Sequence, residues 1–189
     1  KKTILKLPVN ITALPVRGVT LPVVCLLHHD TLGNFKMIKE VQGDLLLSRA
    51  AAIAHGVAPN DPFSQGLALA LRERAPSLYK DFRHYCQTYH PKPGSLWTWT
   101  GPDGVRVVNL FTQEAVEGHH GGKPGRATVS NVAHSLRALR QLAESEGFQS
   151  LALPRLATGV GALPWEEVRP LISQHLDGMG IPVYVYSVY

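Results

Sequence analysis

A loop of small residues, 157–162, stands between a short apolar run that begins at Leu151 and a helix expected to begin at Pro164. The groups that this loop could offer to a ligand are those of its backbone. Free N–H groups without bulky side chains let an anionic group, above all a phosphate, approach closely. An ordinary strand-to-helix connection also needs glycines to turn, so this loop alone leaves both interpretations open.

A second loop, from Gln113 to Arg126, offers acid–base groups in His119, His120 and Lys123. Histidine can give or take a proton near neutral pH. Loops of this length inside compact domains are commonly functional, whereas the simpler interpretation is a solvated surface loop.

The composition is that of one globular domain of 189 residues, 44% hydrophobic and 17% charged. No apolar run reaches the roughly 18 residues that a membrane helix needs, so we expect no membrane partner. The formal charge of +5 comes from scattered residues, and direct nucleic-acid binding is not indicated. Cys25 and Cys86 are too few and too far apart for a disulfide framework or zinc site. We therefore expect no metal, no cofactor and a cytoplasmic location.

The elements that must position these loops follow from periodicity and turn residues. Strands are expected at 37–41, 51–57, 95–100, 105–111, 151–153 and 181–188, and helices from 66, 76, 128 or 130, and 164. The helical spacing predicts these core residues: Leu78, Tyr79, Phe82, Cys86, Val132, Leu136, Leu139, Leu142, Val168, Leu171, Ile172 and Leu176. The fold class predicted is α/β, with a central mixed sheet between helices in three layers.

Several polar or glycine-rich segments come just after predicted strands: Asp44, 55–61, 111–114 and 157–162. Ligands of α/β sheets gather at the carboxyl ends of the strands, so these segments should meet in one cleft. Residues 1–36 are interrupted by Pro8, Pro15 and Pro22, and they are interpreted as an extension of unknown role before a domain at 37–189.

Four motifs in this order resemble a macrodomain: VQGDL at 41–45, AHGV at 54–57, FSQGLA at 63–68 and LPRLATGVGALPW at 153–165. The nearest branch is that of terminal ADP-ribose protein glycohydrolase and the DNA ADP-ribosyl glycohydrolase antitoxins. The resemblance implies a three-layer α/β/α macrodomain that binds ADP-ribose or an ADP-ribosylated macromolecule. We expect it to be a monomer.

The resemblance also assigns roles. Asp44 would accept a hydrogen bond from the adenine amino group, unless it only caps the next turn. His55 would lie near a ribose, unless it is a buried structural histidine. The full set implied to bind ADP-ribose is Asp44, Leu45, His55, Gly56, Val57, Ser64, Gln65, Gly66, Leu67, Phe111, Thr112, Gln113, Ala157, Thr158, Gly159, Val160, Gly161 and Ala162.

The sequence departs from that branch at two catalytic positions. The branch has a lysine where this chain has Gln113, and its human-type enzyme has an aspartate where this chain has Gly161. A covalent lysyl mechanism is therefore not expected, and a route through a positioned water takes its place. The catalytic candidates are Asn60, Asp61 and His119.

Three functions remain open at this stage. The first is hydrolysis of an ADP-ribosyl linkage or of an ADP-ribose derivative by water. The second is a non-catalytic module that recognises ADP-ribose, which the missing lysine and aspartate favour. The third, nucleic-acid binding driven by net charge, is the weakest because no aromatic and basic pattern stands out in the sequence.

Overall fold

The computed structural model describes residues 37–115 and 123–187 of the chain. Strands alternate with helices along most of this length, as the periodicity predicts. The strands are β1 (Ile38–Val41), β2 (Ala52–Val57), β3 (Leu96–Thr100), β4 (Arg106–Phe111), β5 (Leu151–Pro154) and β6 (Val183–Tyr186). The helices are α1 (Gly66–Arg74), α2 (Pro76–Tyr89), α3 (Val129–Ser145) and α4 (Trp165–Leu176).

The six strands form one mixed sheet in the order β1-β6-β5-β2-β4-β3. Neighbouring strands are parallel except at β3, which pairs antiparallel with β4 at the sheet edge. Helices α1 and α2 cover one face, and α3 and α4 cover the other. The predicted three-layer α/β architecture and its central hairpin are confirmed.

Each face of the sheet has its own apolar core. Phe82 of α2 and Phe111 of β4 are fully buried on the first face, and Leu136 of α3 and Leu153 of β5 are fully buried on the second. Three predicted core residues are only half-buried: Tyr79, Leu142 and Leu171. They lie at the margins of their helical stripes, where one flank of a side chain faces solvent.

The structure fixes two element boundaries that the sequence left less exact. Helix α3 is capped by Thr128, whose side chain accepts a hydrogen bond from the Asn131 N–H at 3.1 Å, and not by Ser130. Strand β6 begins only at Val183, after Pro182, because proline has no N–H to give to a sheet ladder. No helix in the described part of the chain is long and apolar enough to cross a membrane.

Because β2, β4 and β5 run parallel, their carboxyl ends meet at one edge of the sheet. The segments that follow these strands therefore converge there. This edge holds the candidate site.

Candidate functional site

A cleft that is partly open to solvent lies beyond the carboxyl ends of β2, β4 and β5. The residues that line it are His55, Gly56, Asp61, Gly66, Leu67, Ala68, Gln113, Pro154, Arg155, Ala157, Gly159, Val160 and Gly161. Sequence positions from 55 to 161 thus meet in one concave surface, as the strand-end argument predicts.

The amino terminus of α1 opens into this cleft. Gly66, Leu67 and Ala68, the first turn of the helix, all line it. The capping residue Gln65 makes no side-chain hydrogen bond to the helix, and the first turn contains no acidic residue. Free N–H groups and the positive end of the helix dipole therefore face the cleft, where they favour an anion.

The opposite wall is the loop after β5, held by hydrogen bonds within its own backbone. The Leu163 N–H donates to the Ala157 carbonyl at 2.9 Å, and the Ala162 N–H donates to the Gly159 carbonyl at 3.0 Å. Ala157 and Ala162 adopt positive φ angles of 58° and 56°. The Thr158 hydroxyl donates to the Arg155 carbonyl at 2.8 Å, so it stabilises the loop from within.

Gly161 sits at the tightest point of this wall. A Cβ atom there would lie 2.7 Å from the Ala157 carbonyl oxygen and 2.8 Å from the Ala127 Cβ. The Gly161 carbonyl also accepts a hydrogen bond from the Ala127 N–H at 3.0 Å. The position where the resemblance implies an aspartate therefore has no room for a side chain unless the backbone shifts.

His55 is a buried, neutral imidazole at the base of the cleft. Its Nε2 lies 2.8 Å from the Asn109 Oδ1 on the neighbouring strand, and its ring meets Phe63 edge to face at 5.7 Å. Burial lowers the pKa of His55 to about 4, although the hydrogen bond with Asn109 opposes this shift. His55 is therefore a structural histidine that also lines the cleft, and its place near a ribose stays a prediction.

Asn109 was not among the predicted site residues. Only the pairing of β2 with β4, which places Asn109 directly beside His55, identifies it as part of the site.

Among the described residues that line the cleft, Asp61 is the single carboxylate. It is 7% exposed. One oxygen accepts a hydrogen bond from the Phe63 N–H at 2.8 Å, and the other accepts from the Ala58 N–H at 3.3 Å. Burial raises the pKa of the Asp61 carboxyl, while these two N–H groups lower it. The carboxylate is therefore fixed in position and poorly solvated, which suits a proton acceptor.

Gln113 lines the third side of the cleft and is 3% exposed. Its Nε2 donates to the Gly125 carbonyl at 3.1 Å, and its backbone forms an isolated antiparallel bridge with Ala127. The amide thus holds together the two described ends of the loop that continues after β4. The resemblance implies a lysine at this position, and the amide of Gln113 cannot act as such a nucleophile.

Other predicted binding residues lie outside this lining. Val57, Phe111 and Thr112 are buried beneath it, and the Thr112 hydroxyl has no hydrogen-bond partner. The remaining ones are Leu45, which is buried, and Ser64, Gln65, Thr158 and Ala162. Among the catalytic candidates, Asn60 is exposed with a φ of 63°, and His119 lies outside the described residues, as does His120. Lys123 is exposed at the edge of the described chain.

Asp44 also stands apart from the lining, after β1. Its Oδ1 accepts a hydrogen bond from the Leu46 N–H at 2.8 Å and caps a short 3-10 helix, Leu45–Leu47. This is the capping role that the sequence left open. The carboxylate is exposed, so its second oxygen is available to a ligand.

Arg155 lines the cleft at the start of the loop after β5 and packs against residues on both sides of that loop. Its guanidinium lies 5.0 Å from the centroid of the Trp165 ring and 3.7 Å from Glu40, which pairs more closely with Arg169 at 2.8 Å. Within the described residues, no group of three or more His, Cys, Asp or Glu side chains is placed to hold a metal ion.

Comparison with known proteins fits this geometry. The family model described as the macro domain matches residues 55–172, which span both walls of the cleft. The chain belongs to the macro domain family. The macrodomain of Thermus aquaticus DarG superposes with a TM-score of 0.69 at 26% identity, covering 80% of this chain and 98% of that one.

Two curated relatives extend the comparison of this macrodomain. One is the DNA ADP-ribosyl transferase-DNA ADP-ribosyl glycohydrolase fusion protein of Thermosipho africanus, 26% identical over 77% of this chain. The chain spans 40% of that protein's length. The human ADP-ribose glycohydrolase OARD1 is 23% identical over 86% of this chain and is covered over 97% of its own length.

Proposed function

We propose that this macrodomain binds ADP-ribose in the cleft and hydrolyses an ADP-ribosyl linkage, or a derivative of ADP-ribose, with water as the nucleophile. The observation that carries the proposal is the convergence of an uncapped helix terminus, a backbone-lined loop and one buried carboxylate on a single cleft. Relatives named as a DNA ADP-ribosyl glycohydrolase fusion protein and as an ADP-ribose glycohydrolase support the reaction class.

Binding would use mostly backbone groups. The diphosphate would lie between the first turn of α1, at Gly66 and Leu67, and the loop at 157–161. Asp44 would accept a hydrogen bond from the adenine amino group through its free oxygen. We place the distal ribose beside Asp61 and Gln113, where the cleft is lined by side chains.

In the reaction, Asp61 would take a proton from a water molecule as the water oxygen bonds to the anomeric carbon of the distal ribose. The bond from that carbon to the attached group breaks, and the leaving group acquires a proton from solvent. A well-positioned water molecule and a weak base are enough for this reaction, because the anomeric carbon of the linkage is already electrophilic. His55 stays neutral and shapes the site.

A reader module without turnover is the second candidate, and Gln113 is the observation that favours it, because an amide replaces the branch nucleophile. Isothermal titration with ADP-ribose tests the shared binding function. A panel of ADP-ribosylated protein, ADP-ribosylated DNA and ADP-ribose 1″-phosphate tests turnover. We expect binding and release of product from one substrate. Binding with no product from any of them would establish the reader, and no binding would reject both.

A further inference from the structure

An aromatic stack opens from the core to the surface at the same sheet edge as the cleft. Its buried end is Phe111 of β4, whose ring lies 6.5 Å from that of Tyr85 and nearly parallel to it. Tyr85 of α2 stacks on Trp97 of β3 at 5.2 Å and lies 5.1 Å from Tyr89. Tyr89 ends the stack and is 69% exposed. Its ring is thus backed by protein while much of its surface faces solvent.

The stack adjoins the side of the cleft formed by the loop after β2, which contains Asp61. Cys86 lies between Tyr85 and Tyr89 on α2, and the backbone N–H of Asn60 approaches its thiol. Asn60 directly precedes Asp61. The turn into β3 starts at this edge too, because the Gly94 N–H donates to the Phe111 carbonyl at 2.7 Å. The exposed Tyr89 therefore lies on the helix that contacts the loop carrying Asp61, close to the sheet edge where the cleft opens.

The stretch of sequence that contains Tyr89 has basic residues and no acidic ones. No Asp or Glu occurs between Asp81 and Asp103, whereas Arg83 and Lys92 fall in that interval and are exposed. An anionic partner is attracted to such a surface, and a cationic one is not.

We propose that Tyr89, supported by Tyr85 and Trp97, is a stacking platform for a base of single-stranded nucleic acid, with Lys92 beside it for the phosphate backbone. Every base has a π-face that stacks on an aromatic ring, and nearby cations hold the strand. The inference rests on the proposed function in one respect: the strand would be the macromolecule attached to the distal ribose. DNA and RNA share this chemistry.

The test measures fluorescence anisotropy of labelled single strands of about 12 nucleotides, long enough for one such site. The strands are oligo-dT, oligo-U and a matched DNA duplex, and an acidic peptide of equal charge is included. Full-length protein is compared with Tyr89→Ala, Tyr89→Phe and Lys92→Gln. Leu47→Ala is the control, because Leu47 is 74% exposed and lies next to the opposite edge strand, β1.

Removing the ring should weaken single-strand binding about 5- to 100-fold, the range seen when a stacking aromatic becomes alanine. Tyr89→Phe and the Leu47 control should bind as the unaltered protein does. Lys92→Gln should reduce the slope of log affinity against log salt by about 0.7, the value for one phosphate contact on a single strand. Preference for oligo-dT or oligo-U would identify the nucleic acid.

The proposal is overturned if Tyr89→Ala binds the strands as tightly as the unaltered protein, or if the duplex or acidic peptide binds as tightly as the single strands. Free ADP-ribose is titrated into the same samples and should bind Tyr89→Ala normally. If the unaltered protein does not bind ADP-ribose, the proposed function is rejected. The strand affinities would still show whether Tyr89 is a stacking platform.

Discussion

The two walls of the cleft are built by different means. The wall at 58–66 follows β2 and is organised by a side chain, since Asp61 accepts hydrogen bonds from two backbone N–H groups of its own loop. The wall at 155–163 follows β5 and is organised by its backbone, with Gly161 packed too tightly for any Cβ. Both contain residues at positive φ, Asn60 on the first wall and Ala157 on the second.

This difference between the walls suits them to two tasks, binding the diphosphate and acid–base chemistry. A backbone-lined wall can surround a diphosphate but offers no group that titrates near neutral pH. The first wall holds the carboxylate and borders His55, so we assign acid–base chemistry to it. The predictions below test that division, from the largest expected effect to the smallest.

The largest effect is expected for Asp61→Asn. The amide keeps the shape of the carboxylate and one of its acceptors, but it cannot take a proton, so kcat should fall about 100-fold or more. Affinity for ADP-ribose, measured by calorimetry, should change less than about threefold, because the diphosphate would be held by backbone N–H groups of the α1 terminus and of the loop at 157–161 and not by this carboxylate.

The pH profile separates catalysis from a structural role of Asp61. In the unaltered protein kcat should fall as the pH drops towards the raised pKa of Asp61, because protonation removes the base. That acidic limb should be missing from the residual activity of Asp61→Asn. If the variant keeps the limb, or loses ADP-ribose affinity in parallel with kcat, Asp61 only supports its loop.

The second prediction concerns acid stability at the first wall. His55 titrates near 6.5 in the unfolded chain and near 4 when folded, so the unfolded chain takes up the proton first as pH falls. The free energy of unfolding should therefore drop by about 3 kcal/mol from this group between pH 6.5 and pH 4.

Urea unfolding of the unaltered protein and of His55→Gln at pH 7 and pH 4 checks this value. Glutamine can still donate to Asn109 but does not titrate, so its variant should lose about 3 kcal/mol less on acidification. Equal losses in the two proteins would mean that His55 does not control acid stability.

The third prediction targets the second wall. Gly161→Ala puts a methyl group against the Ala157 carbonyl and the Ala127 side chain, which should destabilise the fold by about 1–3 kcal/mol and weaken ADP-ribose binding. Val160→Ala, one residue earlier and 42% exposed, is the matched control and should leave stability within about 0.5 kcal/mol. Similar melting temperatures for the two variants would contradict the tight packing at Gly161.

The smallest effect is expected at Asp44, outside both walls. Asp44→Ala removes the cap of the 3-10 helix and the proposed adenine contact, so ADP-ribose affinity should fall about 3- to 10-fold, the contribution of one hydrogen bond. Asp44→Asn keeps a capping oxygen, so its melting temperature should match that of the unaltered protein while its affinity is reduced. Unchanged affinity in both variants would remove Asp44 from the adenine site.

Some parts of the cleft could be predicted from the sequence, and others could not. Glycines after a strand end were enough to locate the loop at 157–162, because turn residues are a local signal, but only the convergence of several strand ends placed this loop in a cleft. The partner of His55 was hidden, since Asn109 is 54 residues away and meets it only through the register of β2 with β4. The aromatic stack was hidden for the same reason, because α2 and β3 each contribute only part of it.

The sequence by itself determined the α/β class, the elements and the edge of the sheet where a ligand would bind, because periodicity and turn residues are local properties of the chain. Only the tertiary structure decided that Gly161 has no room for a side chain, that His55 is neutral and that Asp61 is the carboxylate facing the cleft. Close packing and desolvation depend on atoms brought together from distant parts of the chain.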